Sequence, residues 1–459
     1  MTHDQVPLRQ VFRGRRGVFL LSMLLAEFGG GMQGLAVSTV LPVVAGELNG
    51  FALFGATLAT GNIAAVLMLA FSAPLLARIR PTVVIALATT VYAVGVVLSS
   101  LAPTMEWVLA GMVVRGIGLG LITGFGSAAI GGLFDDRERP RVLGLYAFVW
   151  LVPSVVGPGL NAAIAQWAGW RWAFAWPLIL VLGARVLMGA YSSAIPWERR
   201  REPVRATAGV VVAALLVVCA VASAWTGPWG SGAFALASAG SAVGIVAFLA
   251  RGSQDARLTR TLVTFGALCA AFFGVDALLS VTMIEAFGGG LLWASIAVTG
   301  ALVMWTVAGL RPRPSARPDR VTTGLVLVAF SVAALTLTCV FVSGPVAIGC
   351  VVVAALVAGL GMGLAYPLVM SESFEGSAPA HRVGPLVSFA ETATAAWATM
   401  VCGGLYSALH SAGGTPGAAA GWAFVILLPI AVVGIAIAAR RRRIPWPARR
   451  TDGENPAAG

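Results

Sequence analysis

Ionisable side chains are scarce in this sequence, and one kind is missing altogether. Only 10% of the 459 residues are charged, and none is a lysine, so the 30 basic residues are all arginine. Soluble globular domains carry about 25% charged residues. Hydrophobic residues make up 58% of this chain, so the composition excludes a soluble protein and indicates a polytopic membrane protein.

Metal-ligating and disulfide-forming residues are also few. The 3 histidines have no second ligand at the spacing of a metal site, and the 5 cysteines all lie inside apolar runs. The glycine-rich run after Arg115 has no preceding strand, unlike a nucleotide-binding loop. No nucleophile and base stand at the spacing of a hydrolase. We therefore expect no cofactor, no metal and no enzymatic activity.

Fourteen apolar runs approach the length of about 20 residues that a membrane-spanning helix needs. The sequence therefore predicts an all-α polytopic membrane protein with fourteen transmembrane helices and no soluble domain. The runs, with soft boundaries, are 17–45, 52–77, 82–101, 105–130, 141–166, 171–195, 207–226, 231–250, 261–284, 291–310, 321–341, 345–370, 383–408 and 420–440.

Arginines alternate between the loops that join these runs. They cluster after the even-numbered runs, and Arg171 is the exception on the opposite side. Because arginine-rich loops stay in the cytoplasm, the pattern places both termini there and explains the basic charge without a nucleic-acid partner. The first run extends to Ala45, which is too long for a signal peptide. We predict a multi-pass protein of the cell membrane (an inner or plasma membrane).

The stretch Leu109–Gly126 places one charge, Arg115, near the middle of an apolar run. Such a charge is costly in a membrane and usually faces a partner or a watery cavity. The glycines that follow it let a neighbouring backbone come close. Arg115 is therefore either a structural contact between helices or a charge of a transport pathway, and its neighbourhood favours the second.

A weak internal repeat relates the two ends of the chain. RGIGLGL at Arg115–Leu121 matches AGLGMGL at Ala358–Leu364, and a polar loop with an arginine follows each. Chance is the alternative in a chain with 56 glycines. The shared loop arginine favours a true repeat, which is typical of transporters with a site between two halves. The predicted regions are a cytoplasmic segment 1–16, a six-helix half 17–195, an extra two-helix hairpin within 196–260, a second six-helix half 261–440 and a cytoplasmic tail 441–459.

Several stretches resemble the 14-span drug/proton antiporter branch of the major facilitator superfamily. PSVVGPGLNA at Pro153–Ala162 resembles its exporter motif, in which Gly157 and Pro158 match. QGLAVSTVLP at Gln33–Pro42 resembles its first-span signature, and Arg115 with its glycines resembles its fourth-span motif. The resemblance implies the major facilitator fold, an actinobacterial-type efflux pump, and gating roles for Gly157, Pro158 and two loop arginines, Arg78 and Arg139.

Two positions depart from the family pattern. Gln33 stands where the first-span signature usually has a carboxylate, and glutamine cannot titrate. Ala77 stands where the loop between spans 2 and 3 usually has an aspartate that latches the halves. Both departures bear on proton coupling and gating.

Proton-driven antiport needs a carboxylate that alternates between protonated and charged forms. Burial raises the pKa of such a group and a nearby arginine lowers it. The resemblance implies this role for Asp276 in span 9 and Glu391 in span 13. Glu27 in span 1 either replaces the carboxylate missing at Gln33 or is a structural partner of Arg115 or Arg185. We therefore expect proton coupling to involve Asp276, Glu391, Glu27 and Arg115.

Aromatic side chains are candidates for lining a cavity that accepts flat lipophilic compounds. With Gln33, the candidates are Trp150, Tyr146, Phe125, Trp397 and Tyr366. The prediction is a monomeric, proton-coupled exporter of lipophilic or cationic small molecules that works by alternating access. Its partners are the substrate, protons and the lipid bilayer. The alternative is a degenerate relative without proton coupling that acts as a facilitator, a lipid or metabolite exporter, or a partner-bound scaffold.

Overall fold

The structure is a computed structural model. It describes residues 11–76, 78–133, 138, 142, 145, 149–192, 207–223, 228–310, 319–374 and 380–441. Every regular element within these residues is helical. The all-α fold predicted from the apolar runs is therefore confirmed for the described part of the chain.

Fourteen helical segments follow one another along the described residues, and each matches one apolar run of the sequence. They are α1 (Gly14–Glu47), α2 (Phe54–Leu76), α3 (Pro81–Ser100), α4 (Met105–Leu133), α5 (Leu151–Ala168), α6 (Trp170–Ala175 continued by Pro177–Tyr191), α7 (Thr207–Ser223), α8 (Pro228–Ser253), α9 (Ala256–Val281), α10 (Gly290–Gly309), α11 (Asp319–Phe341), α12 (Pro345–Ser373), α13 (Ala380–Ser411) and α14 (Pro416–Val425 continued by Leu427–Arg441).

Helix boundaries follow from local chemistry. Pro81, Pro345 and Pro416 lie in the first turns of α3, α12 and α14, where a missing N–H group costs no hydrogen bond. Gly169 separates α5 from α6 with a φ of 90°, a left-handed backbone that glycine adopts without strain. A single π turn, Thr282–Ala286, extends α9.

Eleven helices in the described part of the chain are long and apolar enough to cross a membrane. The remaining three, α5, α7 and α13, pack beside these eleven. The chain is thus a multi-pass membrane protein. The crossing count of fourteen stays a prediction, because α7 has only 17 residues and α5 and α13 are less apolar.

The first six helices and the last six repeat one packing arrangement. In the N-terminal half α1 contacts α5 and α6, α4 contacts α2 and α3, and α3 contacts α6. Adding eight to each helix number gives the contacts of the C-terminal half: α9 with α13 and α14, α12 with α10 and α11, and α11 with α14. The repeat in the sequence and the repeat in the packing therefore both relate each helix to the one eight places later. The residue boundaries given for the regions stay a prediction.

Glycines of the repeated motif explain why the packing repeats. A Cβ atom on Gly116 of α4 would collide with the carbonyl oxygen of Gly61 on α2, and one on Gly359 of α12 would collide with that of Ala301 on α10. Two residues further on, and so on the opposite face of each helix, Gly118 and Gly361 make the same close approach to α3 and α11. Small residues allow such backbone contacts between membrane helices, so each glycine run fixes three helices of its half.

The two halves meet at two equivalent interfaces. One interface joins α2 to α13, and the other joins α5 to α10. Adding eight to α2 gives α10, and adding eight to α5 gives α13, so the repeat converts one interface into the other. The contacts lie toward the end of the bundle opposite the N-terminus of α1, which we call the distal end. Gly55 of α2 donates its backbone N–H to Ser407 Oγ of α13 at 3.0 Å, and Ser295 Oγ of α10 donates to the Pro158 carbonyl of α5 at 3.2 Å.

The additional helices α7 and α8 form a hairpin at one side of the bundle. They contact each other and pack against α2 and α13, and α8 also contacts α9. The Trp397 indole of α13 donates to the Ser238 carbonyl of α8 at 2.9 Å, and Phe248 of α8 packs against Phe389 of α13 with ring centres 4.1 Å apart and an angle of 45° between planes. The hairpin therefore covers one of the two interfaces from the side.

Candidate functional site

Glu27 of α1 is a carboxylate of the N-terminal half that interacts electrostatically with Glu391 of the other half. Its Oε1 accepts a hydrogen bond from the Trp150 indole at 3.0 Å. Trp150 directly precedes α5 and is 41% exposed, so this contact lies at an open surface rather than in the helix core. A carboxylate held by an indole donor keeps free lone pairs for a second donor or a cation.

Three further polar side chains lie near Glu27 in the same half. Arg185 of α6 interacts electrostatically with Glu27, and its Nη1 also contacts Met188 Sδ at 3.8 Å. Tyr92 of α3 interacts electrostatically with Glu27, Arg115 and Arg185. Of the two partners proposed for Glu27 from the sequence, Arg185 therefore acts on it electrostatically, whereas Arg115 acts on the neighbouring Tyr92.

Arg115 lies within α4, next to the close contact with α2. Its Nη2 would be 3.3 Å from a Cβ atom on Gly61, and its Nε is buried without a hydrogen-bond partner. Among the described residues, ion pairs join Arg16 to Glu138 and Arg171 to Glu47. Neither pair involves Arg115, whose guanidinium interacts electrostatically with Tyr92 of α3.

Glu391 of α13 is a carboxylate of the C-terminal half that, like Glu27, is held by an aromatic donor. Its Oε1 accepts a hydrogen bond from the Tyr366 hydroxyl of α12 at 2.9 Å. Glu391 also interacts electrostatically with Glu27 across the space between the halves. Two negative charges within the membrane repel each other, which favours protonation of one of them or binding of a cation between them.

An aromatic wall stands beside Glu391. The Tyr366 ring lies 5.1 Å from Phe265 of α9 and 5.2 Å from Trp305 of α10, between ring centres. Trp305 in turn lies 5.2 Å from Phe272 and 6.2 Å from Phe273. Ring faces attract cations and accept flat apolar ligands. Of this wall the sequence had indicated only Tyr366.

Asp276 of α9 is a second carboxylate of the C-terminal half. Its Oδ1 is buried and has no hydrogen-bond partner. One turn further along α9, Ser280 Oγ is also buried without a partner. Unpartnered buried oxygens are costly and uncommon in proteins. The structure does not bring Asp276 into contact with Glu391 or Glu27.

Gln33 lies in a helix interface. It is 2% exposed, and its Nε2 donates to the Phe174 carbonyl of α6 at 3.0 Å. The position that usually holds the family carboxylate is therefore used here to join α1 to α6. The Oε1 atom of the same side chain is buried without a hydrogen-bond partner, and the role of Gln33 in a substrate cavity stays a prediction.

Asn161 of α5 joins three helices through its side-chain amide. Its Nδ2 donates to the Met32 carbonyl of α1 at 3.2 Å, and its Oδ1 accepts from the Trp176 indole at 2.9 Å. One turn earlier, a Cβ atom on Gly157 would lie 2.9 Å from Leu35 of α1. Gly157, Pro158 and Asn161 thus join α5 to α1, α6 and α10.

The other predicted site residues lie elsewhere. Phe125 is 3% exposed and packs edge-on against Phe19 with ring centres 6.3 Å apart, inside the N-terminal core. Trp397 faces the hairpin through its bond to Ser238. Arg78 is exposed between α2 and α3. The remaining predicted positions, Tyr146, Arg139 and Ala77, lie outside the described residues.

Comparison with known proteins gives one family and several similar transporters. Residues 19–404 match the family described as the Major Facilitator Superfamily. A probable multidrug-efflux transporter of Mycobacterium tuberculosis is 30% identical over 135 residues, which is 29% of this chain and 29% of the relative. The multidrug efflux pump SdrM of Staphylococcus aureus is 22% identical over 157 residues, or 34% of this chain and 35% of the relative.

Solved structures extend the likeness to the whole fold. A crystal structure of a peptide transporter of the POT type in complex with sulfate has a TM-score of 0.67 with 14% identity, covering 95% of this chain and 98% of that chain. At this identity the likeness concerns the fold alone. The chain spans only part of the curated relatives that it matches. For the first of them, the match covers between 16% and 35% of the relative's own length.

Proposed function

The chain belongs to the major facilitator superfamily, and we propose that it is a proton-coupled exporter of lipophilic or cationic small molecules. It works by alternating access and belongs to the 14-span drug/proton antiporter branch, of the actinobacterial type. It acts as a monomer in the cell membrane, with both termini in the cytoplasm. The similarity to multidrug efflux proteins supports this proposal.

One observation carries the proposal. Glu27 and Glu391 come from opposite halves, each is held by an aromatic donor, and the two carboxylates interact electrostatically. Neither carboxylate belongs to the ion pairs found among the described residues, and Glu27 is also influenced by the charge of Arg185. A charge within the membrane is costly unless it is used or paired. A proton or a cationic substrate supplies the missing positive charge, so the two compete for one place.

Competition of this kind couples the two fluxes. A cation that enters between the carboxylates stabilises their charged forms, and the protons are then released. A proton that arrives from the other side of the membrane displaces the cation in turn. In the aromatic wall, the partly exposed rings of Tyr366, Trp305 and Phe273 supply apolar area and ring faces for the lipophilic part of the substrate, and the buried Phe265 and Phe272 support them from behind.

Alternating access requires the two interfaces between the halves to open and close. The structure is closed at the distal end, where Gly55 meets Ser407 and Pro158 meets Ser295. With both termini in the cytoplasm, the distal end faces outside. The carboxylates are then reached from the cytoplasm in this state, which is the side from which an exporter takes its substrate.

Transport by proteoliposomes tests the proposal. Uptake of a labelled lipophilic cation such as tetraphenylphosphonium is measured with and without an imposed pH gradient. We expect gradient-driven uptake by the wild type and its loss in Glu27→Gln and Glu391→Gln. Glu106→Gln is the matched control, because Glu106 is an exposed carboxylate at the start of α4, and it should transport like the wild type.

A second candidate is supported by Gln33. Since this side chain binds the Phe174 carbonyl and cannot titrate, the chain has given up the first-span carboxylate to a structural contact. An uncoupled facilitator or lipid exporter needs no titratable group at this position, so the change to glutamine would not impair its transport. In that case the same proteoliposomes would move substrate equally with and without the pH gradient.

A further inference from the structure

One side of α9 is open at two neighbouring positions. Of the residues from Thr264 to Met283, only Phe273 and Asp276 are partly exposed, and all the others are buried. The two positions lie about one turn apart, so both side chains project from the same side of the helix. A helix that is otherwise enclosed therefore presents one ring and one carboxylate to a shared opening.

The aromatic wall connects this opening to Glu391. Phe273 lies 6.2 Å from Trp305, and Trp305 lies 5.2 Å from Tyr366, between ring centres. Tyr366 in turn donates to Glu391 at 2.9 Å. Each of these side chains is partly exposed. The wall is therefore a continuous accessible surface that has Asp276 at one end and Glu391 at the other.

The spacing of the two carboxylates follows from the geometry of α9. Cys269 interacts electrostatically with Glu391, so this residue marks the level of Glu391 along the helix. Asp276 follows Cys269 by about two turns, which places it about 10 Å further along the axis. A molecule that reaches both carboxylates must therefore carry its charges about 10 Å apart.

The C-terminal half has no arginine near the middle of its helices that could neutralise these carboxylates. The stretches 261–310, 321–381 and 383–439 contain no arginine, and the whole chain contains no lysine. Among the described residues, the ion pairs include neither Asp276 nor Glu391, and Asp276 Oδ1 is buried without a hydrogen-bond partner. A charge within the membrane is costly unless it is used or paired, so both ends of the wall favour a positive charge that a ligand brings.

We propose that Asp276 is a specificity-determining residue, and that the aromatic wall binds flat aromatic dications whose charges are about 10 Å apart. One cationic group lies beside Glu391, the apolar part of the molecule lies on the rings of Trp305 and Tyr366, and the second cationic group reaches Asp276. Ring faces accept flat apolar groups and attract cations. The inference rests on the proposed function, because it names the substrate class of the same cavity.

Binding of matched compounds to the purified full-length protein tests the proposal. The long dication is a biphenyl with a trimethylammonium group at each outer para position, and ordinary bond lengths put its nitrogens about 10 Å apart. The monocation is the same biphenyl with one such group. The short dication is a benzene with two such groups para to each other, about 6 Å apart.

Dissociation constants for these compounds are measured by equilibrium dialysis at one pH, without a gradient. We expect the wild type to bind the long dication roughly tenfold more tightly than either of the other compounds, because only the long dication pairs a charge with each carboxylate.

Asp276→Asn removes the charge and keeps the shape of the side chain. It should bind the long dication no more tightly than the monocation, and its affinity for the monocation should stay at the wild-type value. Asp276→Glu keeps the charge and should retain most of the preference. Glu285→Gln is the matched control, because it removes a carboxylate from the π turn at the end of the same helix, and it should keep the wild-type preference.

The proposal is overturned if the wild type binds the long dication and the monocation equally, or if Asp276→Asn keeps the preference. A preference that is lost in Glu27→Gln and kept in Asp276→Asn would also overturn it, since the second charge would then lie between the halves. A failure of proton-driven transport would leave the preference unaffected, because binding is measured without a gradient. Equal binding of both biphenyls by a protein that remains proton-driven would contradict this inference alone.

Discussion

Tyr366 of α12 donates its hydroxyl hydrogen to Glu391 of α13, and the two atoms lie 2.9 Å apart. This bond fixes a carboxylate of the C-terminal half beside an aromatic wall and opposite Glu27 of the other half. The bond therefore connects the place where a proton can bind to the surface where an apolar substrate can lie.

Removing this hydroxyl should alter coupling while leaving the fold intact. In Tyr366→Phe the ring packing against Phe265 and Trp305 is retained and the donor to Glu391 is lost. A charged carboxylate without that donor is less stable, so its protonated form is favoured at higher pH. We expect the pH profile of transport to move upward and the maximal rate to fall roughly tenfold, consistent with about 1.5–3 kcal/mol for a hydrogen bond to a charged group. An unchanged profile in proteoliposomes would contradict the role given to this pair.

The partner contact in the N-terminal half gives a second prediction. Trp150→Phe removes the indole N–H that binds Glu27 and keeps an aromatic side chain at the entrance to α5. We expect weaker binding of a lipophilic cation, by roughly three- to tenfold, because Glu27 loses its fixed orientation. Trp167→Phe is the control, since Trp167 is 87% exposed at the other end of α5. Equal dissociation constants for both variants in equilibrium dialysis would argue against a role for Trp150.

Glycine packing gives a prediction about stability. Gly359→Val places atoms where the Ala301 carbonyl already lies, and overpacking costs about 1–3 kcal/mol or more when backbone must move. Gly349→Val in the same helix is the matched control, because nothing lies within 4 Å of its Cβ position. Thermal unfolding in detergent should show a clear loss for Gly359→Val and little change for Gly349→Val. If both melt alike, close packing of α12 on α10 does not determine stability.

Asn161 offers a test of the connection between α1, α5 and α6. Asn161→Ala leaves the Met32 carbonyl and the Trp176 indole without their partners. Unsatisfied buried groups cost about 1–3 kcal/mol each, so we expect lower thermal stability and reduced yield of monodisperse protein. Asn161→Asp keeps the acceptor for Trp176 but brings in a charge, and it should be less stable still. Wild-type melting of Asn161→Ala would show that these bonds contribute little.

Orientation is testable in whole cells. The arginine asymmetry of the loops predicts that the C-terminus lies in the cytoplasm. A reporter fused there should be active only inside the cell, and one inserted in the loop between α3 and α4 only outside. Activity of the C-terminal fusion on the outside would contradict both the even number of crossings and the assignment of the distal end to the outside.

Much of the fold could be predicted because its determinants are local and repeated. Apolar runs indicated each helix, and the motif shared by Arg115–Leu121 and Ala358–Leu364 indicated the halves, since the same glycines make the same contacts in both. The hairpin could be recognised because it fell outside that repeat. Length and composition alone do not define a crossing at α7, which has only 17 residues, or at α13, which carries polar residues.

The site was harder to predict because its contacts join residues distant in the chain. Glu391 was indicated by the resemblance, but its bond to Tyr366 depends on how α12 crosses α13. Gln33 was predicted to line the cavity, and nothing in the sequence indicated its hydrogen bond to the Phe174 carbonyl 141 residues away. Phe265 and Trp305 gave no signal of their own, since aromatic residues in apolar runs are as common in cores as in binding sites.

Proton release on substrate binding tests the central claim most directly. Purified protein in weakly buffered detergent solution is mixed with a lipophilic cation, and the pH change is followed with an indicator dye. If the cation and the proton compete for Glu27 and Glu391, the wild type should release protons in proportion to bound substrate. The Glu27→Gln, Glu391→Gln double variant should release none. Binding without any proton release by the wild type would contradict the coupled mechanism.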